Sequence, residues 1–103
     1  MAKRAFNEKR VFDRNVCSMP GTYVLKDISS GTFVCKDISP KGIGIQTANP
    51  LPVDTKVKIE ITTKKKVPLI LEGRVRWCRR EDDNYRVGIE FNEPLFILLG
   101  MIV

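Results

Sequence analysis

Apolar and polar residues alternate along most of this 103-residue chain, a pattern typical of half-buried antiparallel strands. The alternation is clearest over residues 56–62, where Val57, Ile59 and Ile61 fall on one face. It recurs over five further segments, at 21–27, 32–38, 43–47, 69–77 and 85–91. The pattern therefore predicts six short strands.

Turn residues separate these segments. Glycine or proline occurs in three of the connections, at 29–31, 40–42 and 49–52, and polar runs typical of hairpin tips occupy 64–66 and 80–84. Six strands at hairpin spacing favour a barrel, because closure of the sheet removes its exposed edges. The sequence thus predicts an all-β fold that is mainly a six-stranded antiparallel β-barrel.

The two ends of the chain do not share this alternation. Residues 1–14 carry five basic and two acidic side chains, and we expect them to form a flexible basic arm that closes over an anion. Near the other end Asn92 can cap a short helix, and the tail at 95–103 is apolar on every side. We therefore expect a barrel over 15–94, with the arm before it and an apolar C-terminal helix or tail after it.

Composition narrows the partners and the compartment. The formal net charge of +6 favours anionic partners such as nucleotides, nucleic acid or membrane surfaces. The chain has no histidine and three widely spaced cysteines, Cys17, Cys35 and Cys78. From these we expect reduced thiols, no metal site and a cytoplasmic location. We also expect no membrane span, because the longest apolar run is far shorter than the roughly 20 residues that cross a bilayer.

Two short motifs carry the candidate chemistry. The first pairs Arg10 with Arg14, and the second places Asp37, Ser39 and Gly42 at a turn between two strands. A guanidinium grips a phosphate, or the O6/N7 edge of guanine, with two hydrogen bonds, and a carboxylate accepts from guanine N–H donors. Each motif alone is weak, because paired basic residues are usually a solvated tail and the second motif is usually an ordinary turn.

Together the two motifs resemble the PilZ domain, a bacterial β-barrel family that binds cyclic di-GMP. The family pattern is Arg-x-x-x-Arg followed, about twenty to thirty residues later, by Asp/Asn-x-Ser-x-x-Gly, and both parts are intact here. The resemblance continues through 72–77 and 85–91 and covers roughly residues 8–93. It implies a PilZ-type barrel that binds cyclic di-GMP through six residues: Lys9, Arg10, Arg14, Asp37, Ser39 and Gly42. Lys9 stands where many members carry a further arginine.

The resemblance implies a receptor and adaptor that relays the bound dinucleotide, by a conformational change, to a protein partner in motility, exopolysaccharide or virulence control. We expect no enzyme activity, catalytic residue or cofactor, since the sequence has no histidine, phosphate loop, nucleophile elbow or obvious acid pair. The apolar tail at 95–103 is one candidate surface for the partner or for a homodimer.

Two alternatives stay open. The first is a PilZ domain that works purely through protein contacts without a ligand, although such members typically lack the motif arginines. The second is a barrel that binds single-stranded nucleic acid, which calls for exposed aromatic residues among basic ones. Against it, Trp77, Tyr85 and Phe91 fall on predicted inward faces, so we expect no nucleic-acid polymer as partner.

Two further groups of residues are interpreted as structural. A row of three arginines, Arg74, Arg76 and Arg79, is predicted to be a solvated face of the barrel. Gly44 and Gly88 are predicted to make room for packing inside a small barrel. Neither group is predicted to contact the ligand.

Overall fold

The computed structural model describes residues 15–25, 29–62 and 68–93, and all of their regular secondary structure is β-strand. Seven strands run through them: β1 (Asn15–Val16), β2 (Pro20–Leu25), β3 (Ser29–Ser39), β4 (Gly42–Thr47), β5 (Lys56–Thr62), β6 (Pro68–Glu81) and β7 (Asn84–Phe91). In this part of the chain no helix is long and apolar enough to cross a membrane. The predicted basic arm at 1–14 and the predicted C-terminal helix or tail at 95–103 lie outside the described residues.

Six of the strands close a barrel. The hydrogen-bonded order is β1-β3-β2-β5-β6-β7-β4, and a further pairing of β3 with β4 completes the ring. All of these pairings are antiparallel. The short strand β1 pairs with residues 37–38 of β3. The predicted six-stranded antiparallel barrel is confirmed, and β1 is an addition too short to show an alternation of its own.

Alternating burial along β5 shows why these residues form a barrel wall. Val57, Ile59 and Ile61 are buried, whereas the residues between them are exposed. Leu71 and Val75 turn inward in the same way on β6. Branched side chains fit a pleated sheet with one buried face, and with the buried residues of the other strands they form one core cluster inside the ring.

Two β-bulges change which side chains face outward. In β3 the pairing with β4 shifts between Cys35 and Asp37, and in β6 the pairing with β7 shifts between Val75 and Trp77. An extra residue in one strand reverses the in–out alternation after it. Val75 is therefore fully buried, whereas Trp77 is 41% exposed. The prediction that Trp77 lies on an inward face is wrong for this reason.

Cys17 and Cys35 form a disulfide, which corrects the expectation of three reduced thiols. The chain between β1 and β2 runs beside β3, and Cys17 N–H donates to the Lys36 carbonyl at 3.1 Å while Cys35 N–H donates to the Met19 carbonyl at 2.8 Å. These bonds bring the two cysteine Cα atoms to 5.7 Å, a separation that suits a disulfide. Cysteine usage therefore no longer supports the inference of a reducing compartment.

Candidate functional site

Asp37, the first residue of the second motif, lies on the outer face of the barrel, where β3, β4, β7 and β6 run side by side. Asp37 on β3 pairs with Gly44 on β4, and Gly44 pairs in turn with Gly88 on β7. Gly88 pairs with Trp77 on β6. Because neighbouring strands lie about 4.8 Å apart, Asp37 and Trp77 stand about 14 Å apart along the sheet. We call this line of four residues the outer row.

The two glycines form the floor of the outer row because a side chain does not fit at either position. A Cβ atom on Gly44 would lie 2.8 Å from Asp37 Oδ1, and a Cβ atom on Gly88 would overlap the Trp77 indole. Both glycines therefore make room for a side chain of the outer face. The prediction that they make room inside the barrel is corrected by these contacts.

Ser39 and Gly42 hold the hairpin that joins β3 to β4. Ser39 is buried, at 3% exposure, and its Oγ accepts a hydrogen bond from Lys41 N–H at 3.3 Å. Gly42 is not required for a left-handed backbone, since no described glycine has a positive φ. A Cβ atom there would instead overlap the Ile89 carbonyl oxygen. Gly42 thus allows β4 to approach β7 closely at the edge of the outer row.

Arg86 on β7 extends the site beyond the residues predicted from sequence. Its Nη1 atom lies 3.8 Å from Asp37 Oδ2, and its Nε atom lies 3.3 Å from Glu81 Oε1. The side chains of Arg86 and Asp37 are only 23% and 26% exposed, so this ion pair is partly shielded from water. The sequence signal for Arg86 is its position between two inward-facing residues of an alternating strand, which by itself predicts only an outward side chain.

Trp77 and Arg79 occupy the other end of the outer row. The guanidinium carbon of Arg79 lies 5.0 Å from the centroid of the Trp77 ring, within the range of a cation–π contact. A depression of about 260 Å³ opens beside Trp77, with Lys41 and Glu90 among its lining residues. Arg76, which borders the same depression, donates from Nε to Glu90 Oε1 at 2.6 Å. The arginines predicted as a solvated face therefore include one that stacks on the site's exposed aromatic ring.

The six binding residues predicted from sequence divide into two groups. Three lie together around the β3–β4 hairpin: Asp37, Ser39 and Gly42. Three lie outside the described residues, and their roles stay predictions: Lys9, Arg10 and Arg14. Asn15, the first residue that the structure describes, pairs with Ile38 and therefore lies directly beside the second motif.

The outer row suits binding better than bond-breaking chemistry. A partly shielded carboxylate lies at one end and a ring that is exposed for stacking lies at the other, with a floor between them that carries no side chain. The Asp37 carboxylate lies over Gly44 and the Trp77 indole lies over Gly88, so a flat ligand with hydrogen-bond donors can meet an acceptor and a stacking surface on the same face of the sheet. Among the described residues, no group of three cysteine, aspartate or glutamate side chains is placed to hold a metal ion.

Two solved structures share this fold. The chain matches the structure of Bacillus subtilis inhibitor of motility, MotI/DgrA, with a TM-score of 0.70 at 15% identity, over 82% of this chain and 43% of that one. It matches the PilZ domain with c-di-GMP of YcgR from Escherichia coli with a TM-score of 0.69 at 18% identity, over 82% of this chain and 78% of that one. At such identities the likeness shows the fold, and the chain spans less than half the length of MotI. A comparison with curated proteins gives no significant match.

The fold is a small antiparallel β-barrel domain with the candidate site on its outer face. The family model of the PilZ domain matches residues 8–96, a span that contains both sequence motifs and every strand described above. The chain belongs to the PilZ domain family, which confirms the resemblance drawn from the motifs. PilZ domains take cyclic di-GMP as a ligand and are not a known enzyme family.

Proposed function

We propose that this chain is a bacterial receptor for cyclic di-GMP and that it binds the dinucleotide along the outer row. The observation that carries the proposal is the placement of the Asp37 carboxylate over Gly44 and of the exposed Trp77 indole over Gly88, which sets an acceptor and a stacking surface on one face of the barrel. The similar PilZ domain of YcgR was solved with c-di-GMP, which supports the choice of ligand. Cyclic di-GMP carries two guanines, and the outer row offers two places suited to a guanine.

Asp37 is the residue that we expect to select guanine. A carboxylate has two acceptor oxygens, and guanine presents two adjacent donors, N1–H and the exocyclic amino group, on one edge. Hydrogen bonds to an ionised acceptor are roughly twice as strong as bonds between neutral groups. Adenine has no matching pair of donors, so this contact discriminates between cyclic dinucleotides that share the same phosphodiesters.

Trp77 and Arg79 are the residues that we expect to stack on a base. The ring is exposed and the Arg79 guanidinium already lies over it. Stacking of a base on an aromatic side chain contributes about 1–3 kcal/mol and depends little on base identity. This end of the outer row therefore adds affinity, while the Asp37 end adds selectivity.

The N-terminal motif completes the proposed site. Arg10 and Arg14 would grip the phosphodiesters with their forked donors, and Lys9 would add a point charge. Ser39 and Gly42 pair with each other at the β3–β4 hairpin, two residues from the Asp37 and Gly44 pair of the outer row. In this proposal the arm moves when its arginines engage the ligand, and the changed surface is what a protein partner in the cytoplasm recognises. The inhibitor of motility among the structural neighbours favours motility as the process controlled.

Isothermal titration of the full chain with cyclic di-GMP tests the proposal. We expect saturable binding to the wild-type chain, much weaker binding of cyclic di-AMP, and a large loss of affinity in Arg14→Ala. Arg80→Ala is a matched control, because the exposed Arg80 donates to the Asp82 carbonyl of its own hairpin. A folded protein that gives no heat with cyclic di-GMP would favour the ligand-independent interaction module. Unchanged affinity in Arg14→Ala would remove the role assigned to that residue.

A further inference from the structure

Arg86 stands at the centre of a chain of ion pairs that ends on the proposed guanine-recognition residue. Glu81, at the end of β6, lies 3.3 Å from Arg86 Nε, and Arg86 Nη1 lies 3.8 Å from Asp37 Oδ2. The guanidinium therefore has one acidic neighbour on the strand beside it and another two strands away. A planar fork with donors on both sides is suited to such a bridge, whereas the single ammonium of a lysine is not.

The glycine floor is what allows Arg86 to reach Asp37. The two residues belong to β7 and β3, and β4 runs between them. On β4 the residue paired with Asp37 is Gly44, and a Cβ atom at Gly44 would lie 2.8–3.1 Å from the atoms of the Asp37 carboxyl group. The carboxylate thus rests over β4 in space that a larger residue would occupy, and it points toward β7.

We propose that Arg86 is a positioning residue for guanine selection: it holds the Asp37 carboxylate over Gly44 in the orientation that accepts both guanine donors. The inference rests on the proposed function, because it assigns Arg86 a role in that same site. A two-point hydrogen bond depends on carboxylate orientation as well as on charge. Arg86 acts on the ligand through Asp37, and Glu81 limits the positions that the guanidinium can take.

The same contacts contribute little to the stability of the barrel. Ion pairs near a protein surface typically stabilise a fold by about 0–1 kcal/mol, and neither Arg86 nor Asp37 belongs to the core cluster. Loss of the Arg86 guanidinium is therefore expected to change ligand selection far more than thermal stability. This separation allows a positioning role to be distinguished from a structural one.

The test compares wild type with Arg86→Gln, Arg86→Lys and the control Arg80→Gln, by calorimetric titration with two probes. Cyclic di-GMP and cyclic di-IMP have identical phosphodiesters, and only the first carries the exocyclic amino group. We expect Arg86→Gln to bind cyclic di-GMP about tenfold more weakly, a coupling typical of residues in one polar network, and to bind cyclic di-IMP almost as well as wild type does. Arg86→Lys keeps the charge and the melting temperature but not the preference for cyclic di-GMP, and Arg80→Gln behaves as wild type.

Three results would overturn the inference. If Arg86→Gln weakens both probes equally, Arg86 contacts a phosphate directly and does not act through Asp37. If Arg86→Gln binds both probes as wild type does, the ion pair is irrelevant to the ligand. If the wild-type chain binds neither probe, both the proposed function and this inference are wrong. That outcome is recognisable before any variant is measured.

Discussion

The substitution Gly44→Ala is expected to separate ligand binding from folding. The new Cβ atom would lie 2.8 Å from Asp37 Oδ1, whereas ordinary van der Waals contacts begin near 3.4 Å. The Asp37 carboxylate must therefore move by about 0.6 Å or rotate away from the floor of the outer row. The backbone can stay in place, because the three atoms nearest to this Cβ atom all belong to the carboxyl group of a short side chain.

The two effects of this substitution differ in size. Replacement of glycine by alanine stabilises a compatible site by about 0.4–1 kcal/mol through the unfolded state, and an off-rotamer side chain costs about 0.5–1.5 kcal/mol. The free energy of unfolding should therefore change by less than about 1 kcal/mol. A lost hydrogen bond to a charged group costs about 1.5–3 kcal/mol, which corresponds to a loss of affinity of roughly tenfold to 150-fold for cyclic di-GMP.

Urea denaturation and calorimetric titration of the same preparation measure both quantities. Gly31→Ala is a matched control, because its Cβ atom would meet the hydroxyl of the Tyr23 side chain at 2.6 Å, away from the outer row, and cyclic di-GMP affinity should stay unchanged. Wild-type affinity in Gly44→Ala would refute the role of the Asp37 carboxylate in recognition. A loss of more than about 3 kcal/mol in unfolding free energy would show that the fold itself needs the space at Gly44.

Three further predictions concern aromatic contact, the disulfide and the core. Trp77 is the chain's single tryptophan and is exposed, so cyclic di-GMP should quench its fluorescence saturably, and constant emission would contradict stacking. Reduction of the Cys17–Cys35 bond, whose partners are 18 residues apart, should lower the unfolding free energy by about 3 kcal/mol. Urea curves with and without reductant test this, and coincident curves would contradict it. Cys78→Ser, which keeps the disulfide, is the control. Ile45→Ala removes a fully buried side chain and should cost about 2–5 kcal/mol, which an unshifted urea midpoint would exclude.

The barrel was predictable from sequence because its signal is local and periodic. Each wall strand alternates buried and exposed residues, as β5 does with Val57, Ile59 and Ile61, and a period of two is visible in a single segment. The second motif was predictable for a related reason, since Asp37 and Gly42 lie on one hairpin. The hairpin spacing favours pairing of neighbouring strands, but the strand order and register come from the three-dimensional structure.

The full set of site residues was not predictable, because it depends on a β-bulge and on contacts between distant strands, and neither changes the periodic pattern of the sequence. One extra residue in β6 turns Trp77 outward although Val75, two positions earlier, is buried. The contact of Arg86 with Asp37 joins strands that are distant in sequence and needs a glycine on the strand between them. The Cys17–Cys35 bond likewise follows from the course of the chain beside β3 and not from cysteine spacing.

Mapping of amide chemical shifts during titration with cyclic di-GMP is the sharpest test of binding along the outer row, because it reports binding and its location together. We expect the largest shift changes at the amides of Gly42, Gly44 and Gly88 and at the indole N–H of Trp77. The chemical shifts of β5 amides on the far wall, such as that of Lys58, should stay unchanged. Saturable changes centred on β5, or a spectrum of the folded chain that cyclic di-GMP leaves unchanged, would contradict binding along the outer row.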